Sequence, residues 1–235
     1  MSKVVHPFAH RLGIIRDWKS RWFATDKNYR TNLRADIVLR EMLQKELRGQ
    51  YAAAIEFERN AKQLRIIIKT SRPGMIIGRG GDGSTKLKTK IVERMRKEGL
   101  PMTDLKLDIE EIRSPESNAA IVAYMVAEGL EKRMPFRRVL KQTVEKVIAN
   151  RDVKGVRIAV GGRLGGGDMA RNEELKRGQI PLQTFRADID FAREKAFLPY
   201  GVIGVKVWIY RGEIFSESAK RAQDKEQPRG RSTSK

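Results

Sequence analysis

The stretch from Arg72 to Lys97, RPGMIIGRGGDGSTKLKTKIVERMRK, constrains this chain more than any other. Its glycines at 78, 80, 81 and 83 strip a short loop of side chains and permit positive φ, so that backbone N–H groups there can approach an anion closely. Arg79 sits among them. Downstream, Leu87, Ile91 and Met95 recur every four residues, the spacing of a buried helical stripe, while Lys86, Lys90, Arg94 and Lys97 fall on a neighbouring face. The spacing predicts a glycine loop that feeds a helix with a cationic exposed side.

The cations extend well beyond that helix. Over 235 residues, 49 Lys and Arg stand against 29 Asp and Glu, a formal charge of +20 that calls for a polyanionic partner, nucleic acid before a membrane surface. Residues 1–100 hold 23 bases and 10 acids, whereas residues 101–150 hold eight of each, so the cationic surface is expected chiefly in the first half. A hydrophobic content of 40% supports a sizeable core divided between two domains. No apolar run approaches the roughly 18 residues of a membrane span, and the first residues lack the apolar core of a signal peptide. The chain therefore reads as soluble and unprocessed, with no membrane partner. Without cysteine and with only His6 and His10, it offers poor material for disulfides, thiolate zinc sites or His-assisted nucleophiles. No metal, cofactor, small-molecule substrate or enzymatic activity is expected.

Residues 1–27 read as an arm in which Trp18, Trp22 and Phe23 mingle with Arg11, Arg16, Lys19 and Arg21. Either the rings pack on the adjoining domain or the arm contacts RNA through those four cations. A helix from about Tyr29 to Leu47 follows, with Leu39, Leu43 and Leu47 on one side and Gly49 as its stop. Ile55 and Phe57, then Leu64, Ile66 and Ile68, alternate with charged residues and predict a hairpin about Asn60. After the loop and its helix, closed by Gly99 and Pro101, Leu105, Leu107 and Ile109 mark a third strand. Ser114 and Pro115 suit the start of a helix that buries Val122, Val126 and Leu130, and a second helix from Pro135 buries Phe136, Leu140 and Val147. Strands are expected at 156–160, 185–191 and 205–210, and GGRLGGG, residues 161–167, forms a second glycine loop whose Arg163 suits RNA backbone or tight packing equally. The fold class is α+β: an arm at 1–27, a three-stranded sheet with helices on one face at 28–111, a second domain of two helices on a sheet at 112–212, and a disordered basic tail at 213–235.

GRGGDG also satisfies the dinucleotide fingerprint G-x-G-x-x-G. That fingerprint should follow a buried parallel strand directly, but Pro73 and Gly74 intervene, the helix after it is a lysine ladder, and the flanking strands read as a hairpin without a crossover. Neither glycine loop carries the Gly-Lys-Ser/Thr ending of a Walker loop. An apolar turn, Gly78-Arg79-Gly80-Gly81, a basic helix and a strand instead resemble the KH module, whose GXXG loop clamps the backbone of four nucleotides. The helix and hairpin ahead of it resemble the type II variant. A tight turn with no ligand, and a free KH protein acting on many transcripts, are the alternatives.

In order along the chain, VHPFAHRLGI, WKSRWFA, RPGMIIGRGG, LEKRMPFRRVLK, GGRLGGG, PLQTFRADIDFA and YGVIGVKVWIYRGEI resemble the family of bacterial small-subunit ribosomal protein three. The resemblance implies a cytoplasmic constituent of the small-subunit head that binds ribosomal RNA, has proteins ten and fourteen of the head as neighbours, and contacts mRNA where it enters the ribosome. The clamp would be Gly78, Arg79, Gly80 and Gly81 with Lys86 and Lys90, although Gly80 stands where relatives often carry a second base. By the same resemblance the mRNA contact falls on Arg137, Arg138 and Lys141, which in the family help open structured mRNA with energy borrowed from translocation. Residues 132–141 independently hold five bases and no acid, and Arg133, Arg137 and Lys141 are spaced to share a helix face, as a solvated surface or an RNA contact.

Overall fold

The computed structural model describes residues 5–60, 63–100 and 104–215. It contains two four-stranded sheets, each covered by helices. The first sheet comprises β1 (Ser20–Arg21), β2 (Ala52–Arg59), β3 (Gln63–Thr70) and β4 (Asp104–Glu111), in the order β1-β2-β3-β4. Alternation along the hairpin β2–β3 places Ile55, Phe57, Leu64, Ile66 and Ile68 on one face. Against that face α2 (Asp26–Glu46) lays Leu39 and Leu43, and α4 (Asp82–Lys97) lays Leu87, Ile91 and Met95.

The opposite face is a lattice of compensated charge. Arg21 reaches Glu56 at 2.9 Å and Glu58 at 2.8 Å, Arg65 reaches Glu58 at 3.2 Å and Asp108 at 2.5 Å, and Lys69 holds Glu56 at 2.7 Å. Such partly exposed pairs each contribute about 0–1 kcal/mol. Their larger consequence is that acids cancel the cations of this face.

Two expectations change here. The hairpin without a crossover is β2–β3, whereas the strands that flank the glycine loop, β3 and β4, run parallel and are joined through α3 (Pro73–Ile77) and α4. Parallel neighbours cannot be closed by a tight turn and require such a crossover. In addition, the arm contributes β1 as a fourth strand parallel to β2; two residues are too few to show alternation.

The second sheet comprises β5 (Gly155–Gly162), β6 (Arg171–Gly178), β7 (Ala187–Leu198) and β8 (Gly201–Glu213), antiparallel throughout in the order β6-β5-β8-β7. Helices α5 (Ala119–Glu131) and α6 (Phe136–Ala149) cover one face, where Val122, Val126, Leu140 and Val147 meet Val156, Ile158, Val205 and Val207. Strand β6 escapes sequence reading because RNEELKRG has Leu175 as its only aliphatic residue; a charged edge strand also discourages pairing with another chain. Ser114 and Pro115 open only a short 3₁₀ turn, Pro115–Ser117, and the cap of α5 is Asn118, whose side chain accepts from the N–H groups of Ala120 at 3.0 Å and Ile121 at 3.4 Å. Phe136 is half-buried at the margin of the core.

The arm covers the other face of this second sheet. It begins with α1 (Pro7–His10), His6 packs edge-on against Phe191 with centroids 4.8 Å apart, and His10 stacks on Phe185 at 4.1 Å. Phe185 therefore lies ahead of β7 as an exposed ring, outside the strand expected there. A few residues later the same arm enters the first sheet as β1, so it ties the two sheets together. The expected closure at Pro101 and most of the expected tail, residues 216–235, lie outside the described residues.

Candidate nucleic-acid interface

The glycine loop is built as the sequence suggests, and its backbone explains each glycine differently. Gly78 ends α3 with φ 71°, Gly80 has φ 60° in the turn Arg79–Gly81, and Gly81 opens α4 with φ 88°, all conformations that a side chain disfavours. Gly83 is required for a different reason. A Cβ there would lie 2.5 Å from the Ile76 carbonyl oxygen, so α3 and α4 cross in backbone contact. Arg79 is exposed at the tip, and Met75 and Ile77 expose apolar surface beside it while Ile76 anchors α3 in the core. Bare backbone, one guanidinium and a flanking apolar strip suit a sugar–phosphate chain with its bases turned inward.

The helix after the loop is less uniformly cationic than its sequence. Lys90 meets both carboxylate oxygens of Glu46 at 3.0 Å, and Arg94 meets Glu98 at 2.9 Å. Lys86 is exposed, and among the described residues neither it nor Arg79 has a carboxylate within 4.0 Å. Arg79 and Lys86 thus remain fully available, whereas Lys90 must exchange one partner for another.

On α6 the structure brings Arg137, Arg138 and Lys141 to one exposed region and separates Arg133 from them. Arg133 precedes the helix, in the turn after α5, with φ 60°; Pro135 forces α6 to begin at Phe136, so the expected shared face starts at Arg137. The Arg137 side chain is 73% exposed and forks onto Glu173 of β6, Nη2 to Oε1 at 3.2 Å and Nε to Oε2 at 3.4 Å. That hydrogen bond is the main reason its guanidinium pKa is raised. Arg138 and Lys141 are exposed without a carboxylate within 4.0 Å among the described residues. Beneath them Val139, Leu140, Thr143, Val144 and Val147 fix the helix in the core, so these cations stand on a rigid support.

The remaining candidates are committed elsewhere. Arg11 is 0% exposed: its Nε donates to the Ala187 carbonyl at 2.6 Å, Nη1 to Pro7 at 3.0 Å, and Nη2 to Leu182 at 3.0 Å and Thr184 at 2.9 Å. It is therefore a buried rivet between arm and sheet and is withdrawn from the RNA-facing set. Arg16 pairs with Asp188 at 2.5 Å, Arg21 belongs to the charge lattice, and Lys19 lies over the Phe8 ring at 5.2 Å. Arg163 donates to the Tyr200 carbonyl at 3.2 Å and the Gly167 carbonyl at 3.0 Å and pairs with Asp168 at 3.1 Å, so it is engaged in packing of the second glycine loop.

Sequence reasoning missed the joint between the two sheets. Tyr51, at φ 52° just before β2, donates its hydroxyl to Glu128 of α5 and lies edge-on to Tyr124, while Arg72, the residue before α3, covers the Tyr51 ring at 4.4 Å. Lys132 and Tyr51, in that order, hold the Glu128 carboxyl below its ordinary pKa, and the same hydrogen bond is the first cause that raises that of Tyr51. Arg48 adds a pair to Glu131 at 2.7 Å and a bond to the Lys195 carbonyl at 3.0 Å. No local periodicity marks these residues, because their partners come from distant parts of the chain.

Comparison with known proteins agrees with both halves of this architecture. Residues 38–117 match the family described as KH domain, and residues 126–209 match the one described as ribosomal protein S3, C-terminal domain. The chain is 42% identical over 224 residues to the small ribosomal subunit protein uS3 of Clostridium novyi, spanning 95% of this chain and 99% of that one. To the protein of the same name from Caldicellulosiruptor bescii it is 45% identical over 222 residues, spanning 93% and 96%. To that of Syntrophomonas wolfei it is 42% identical over 227 residues, spanning 97% and 96%.

Proposed function

The chain belongs to the uS3 family of small ribosomal subunit proteins, and from that membership we propose how its two cationic surfaces divide the handling of RNA. Membership makes it a structural, non-enzymatic constituent of the bacterial small subunit, associated with ribosomal RNA. Beyond that, the glycine loop with Arg79, Lys86 and Lys90 holds ribosomal RNA of the subunit head by its backbone. The exposed start of α6, with Arg137, Arg138 and Lys141, contacts mRNA where it enters the subunit and helps to open its secondary structure. The units that do this are 28–111 and 112–212, with the arm shared between them and head proteins ten and fourteen as neighbours.

The observation that supports the division is what each surface offers beside its free cations: side chains alone on α6, bare glycine backbone in the loop. Arg138 and Lys141 are exposed, rigidly mounted and without an acid in reach, so they meet a passing phosphate at no cost in broken ion pairs. The loop instead offers backbone, which suits a contact made once during assembly and then kept. Photoreactive nucleotides placed along mRNA downstream of the decoding site test this. Crosslinks to residues 137–141 are expected, and crosslinks to the uS3 protein confined to the glycine loop would reverse the assignment.

A further inference from the structure

At the start of α6 Arg137 borders a cleft of about 210 Å³ lined by Pro135, Phe136, Arg137, Leu164, Arg171 and Glu173. Its composition differs from that of the surrounding surface. Pro135, half-buried Phe136 and Leu164 form an apolar floor, and Leu164 is itself part of the core beneath. Arg137 lies 5.6 Å from the centroid of the Phe136 ring, within the range of a cation–π contact, and its fork onto Glu173 makes one wall. Arg171 and Glu173 are two residues apart on β6, opposite Gly162 and Val160 of β5, so both belong to the side of the sheet that α6 covers. A flat ring, planar guanidinium groups and a carboxylate acceptor thus converge on one small opening.

We propose that this cleft takes a single unpaired base of the mRNA, stacked on Phe136 and accepted through its exocyclic amino group by Glu173, while Arg138 and Lys141 hold the adjoining phosphates. This rests on the α6 reading above and adds a base to what would otherwise be a contact with phosphates alone. Charge complementarity selects the occupant: Arg137 and Arg171 line the cleft beside an aromatic ring, and Arg138 and Lys141 are further exposed cations of the same helix, the combination by which single-stranded nucleic acid is bound through backbone and stacked base together. The volume is below the roughly 300–1,000 Å³ of sites for drug-sized ligands and accommodates one planar ring system, not two. The Glu173 carboxylate offers acceptor oxygens, so bases with an exocyclic amino donor, cytosine, adenine and guanine, are preferred to uracil. Seating a base takes Glu173 from Arg137 and turns that guanidinium toward the phosphate side, an exchange that an exposed and weakly stabilising pair allows. A base held here is withheld from its complementary strand, the condition that opening of a hairpin requires.

The test uses small subunits assembled with the wild-type chain or a variant and an unstructured mRNA carrying one abasic nucleotide, stepped through the segment downstream of the decoding site. With the wild-type chain, one position should accelerate mRNA release about five- to tenfold, in line with the lower part of measured base–aromatic stacking. Phe136→Leu, which keeps the apolar floor, should release every mRNA at that faster rate and lose the positional dependence. Glu173→Gln should keep stacking and lose the preference for cytosine over uracil at that position. The proposal is overturned if no abasic position matters in wild-type subunits, if Phe136→Leu preserves the dependence, or if a photocrosslinker at the cleft captures a neighbouring protein and no mRNA. Should Arg138→Ala with Lys141→Ala speed release while abasic sites have no effect, the base cleft fails and the α6 contact stands. If that double variant also leaves release unchanged, both fail.

Discussion

The arm and the start of α6 are built from the same materials, arginine and lysine among aromatic rings, and the structure puts them to opposite uses. In the arm, Arg11 is consumed by backbone carbonyls of the second sheet, Arg16 by Asp188, and Arg21 by Glu56 and Glu58. On α6, only Arg137 has a carboxylate partner among the described residues, and Arg138 and Lys141 face outward. The difference lies in what each segment can pack against. An arm without a core of its own gains order only by engaging surfaces that already exist, so its cations are drawn into their exposed carbonyls and acids. A helix anchored by a buried stripe has its apolar needs met and can leave its cations to solvent. Composition thus predicts total charge, whereas packing decides how much of it reaches a partner.

The contrast is most exposed to refutation at Arg11. Arg11→Ala should lower the stability of the full chain in a urea melt by about 3 kcal/mol, because several buried carbonyls lose their donor, and should leave the salt dependence of RNA binding unchanged. An RNA defect without a stability loss would erase the distinction. Tyr51→Phe tests a second, half-buried tie, across the joint, and should cost about 1 kcal/mol near neutral pH. The Glu128 carboxyl is held below its ordinary range, so its contribution is fully present above the unfolded glutamate value of about 4.3 and is lost as pH falls through the lower folded value. The gap between wild type and Tyr51→Phe should therefore narrow in acid; a constant gap would mean that the phenol acts through packing. Arg21→Gln, in the exposed lattice, should change stability by less than about 1 kcal/mol and RNA affinity hardly at all, as both titrations would record.

Much of this fold is written in local periodicity. The stripe of Leu87, Ile91 and Met95, the alternation of β2 and β3, and the valines of α5 each report a face that must be buried, and each lies where the spacing places it. What escaped has a physical reason in each case. Strand β6 is stabilised by the ladder to β5 and carries no apolar pattern. The parallel pairing of β3 with β4 is a property of topology, invisible to either strand alone. At the site, the glycine loop is legible because positive φ demands glycine, and α6 because its cations cluster in a neutral region. Arg133 misleads, since spacing assumes a continuous helix and Pro135 interrupts it. The cleft beside Phe136 is illegible because half of its lining comes from Leu164, Arg171 and Glu173, which only the second sheet brings to α6.

The account stands most directly on the rate at which small subunits carrying Arg138→Ala and Lys141→Ala advance along mRNA. Both residues are exposed and away from the core, so assembly and stability should change by no more than about 0.5 kcal/mol. Elongation through a stable hairpin should slow several-fold while elongation along an unstructured message keeps its wild-type rate. Equal rates for mutant and wild type on the hairpin would contradict the claim that α6 is the surface that works on mRNA.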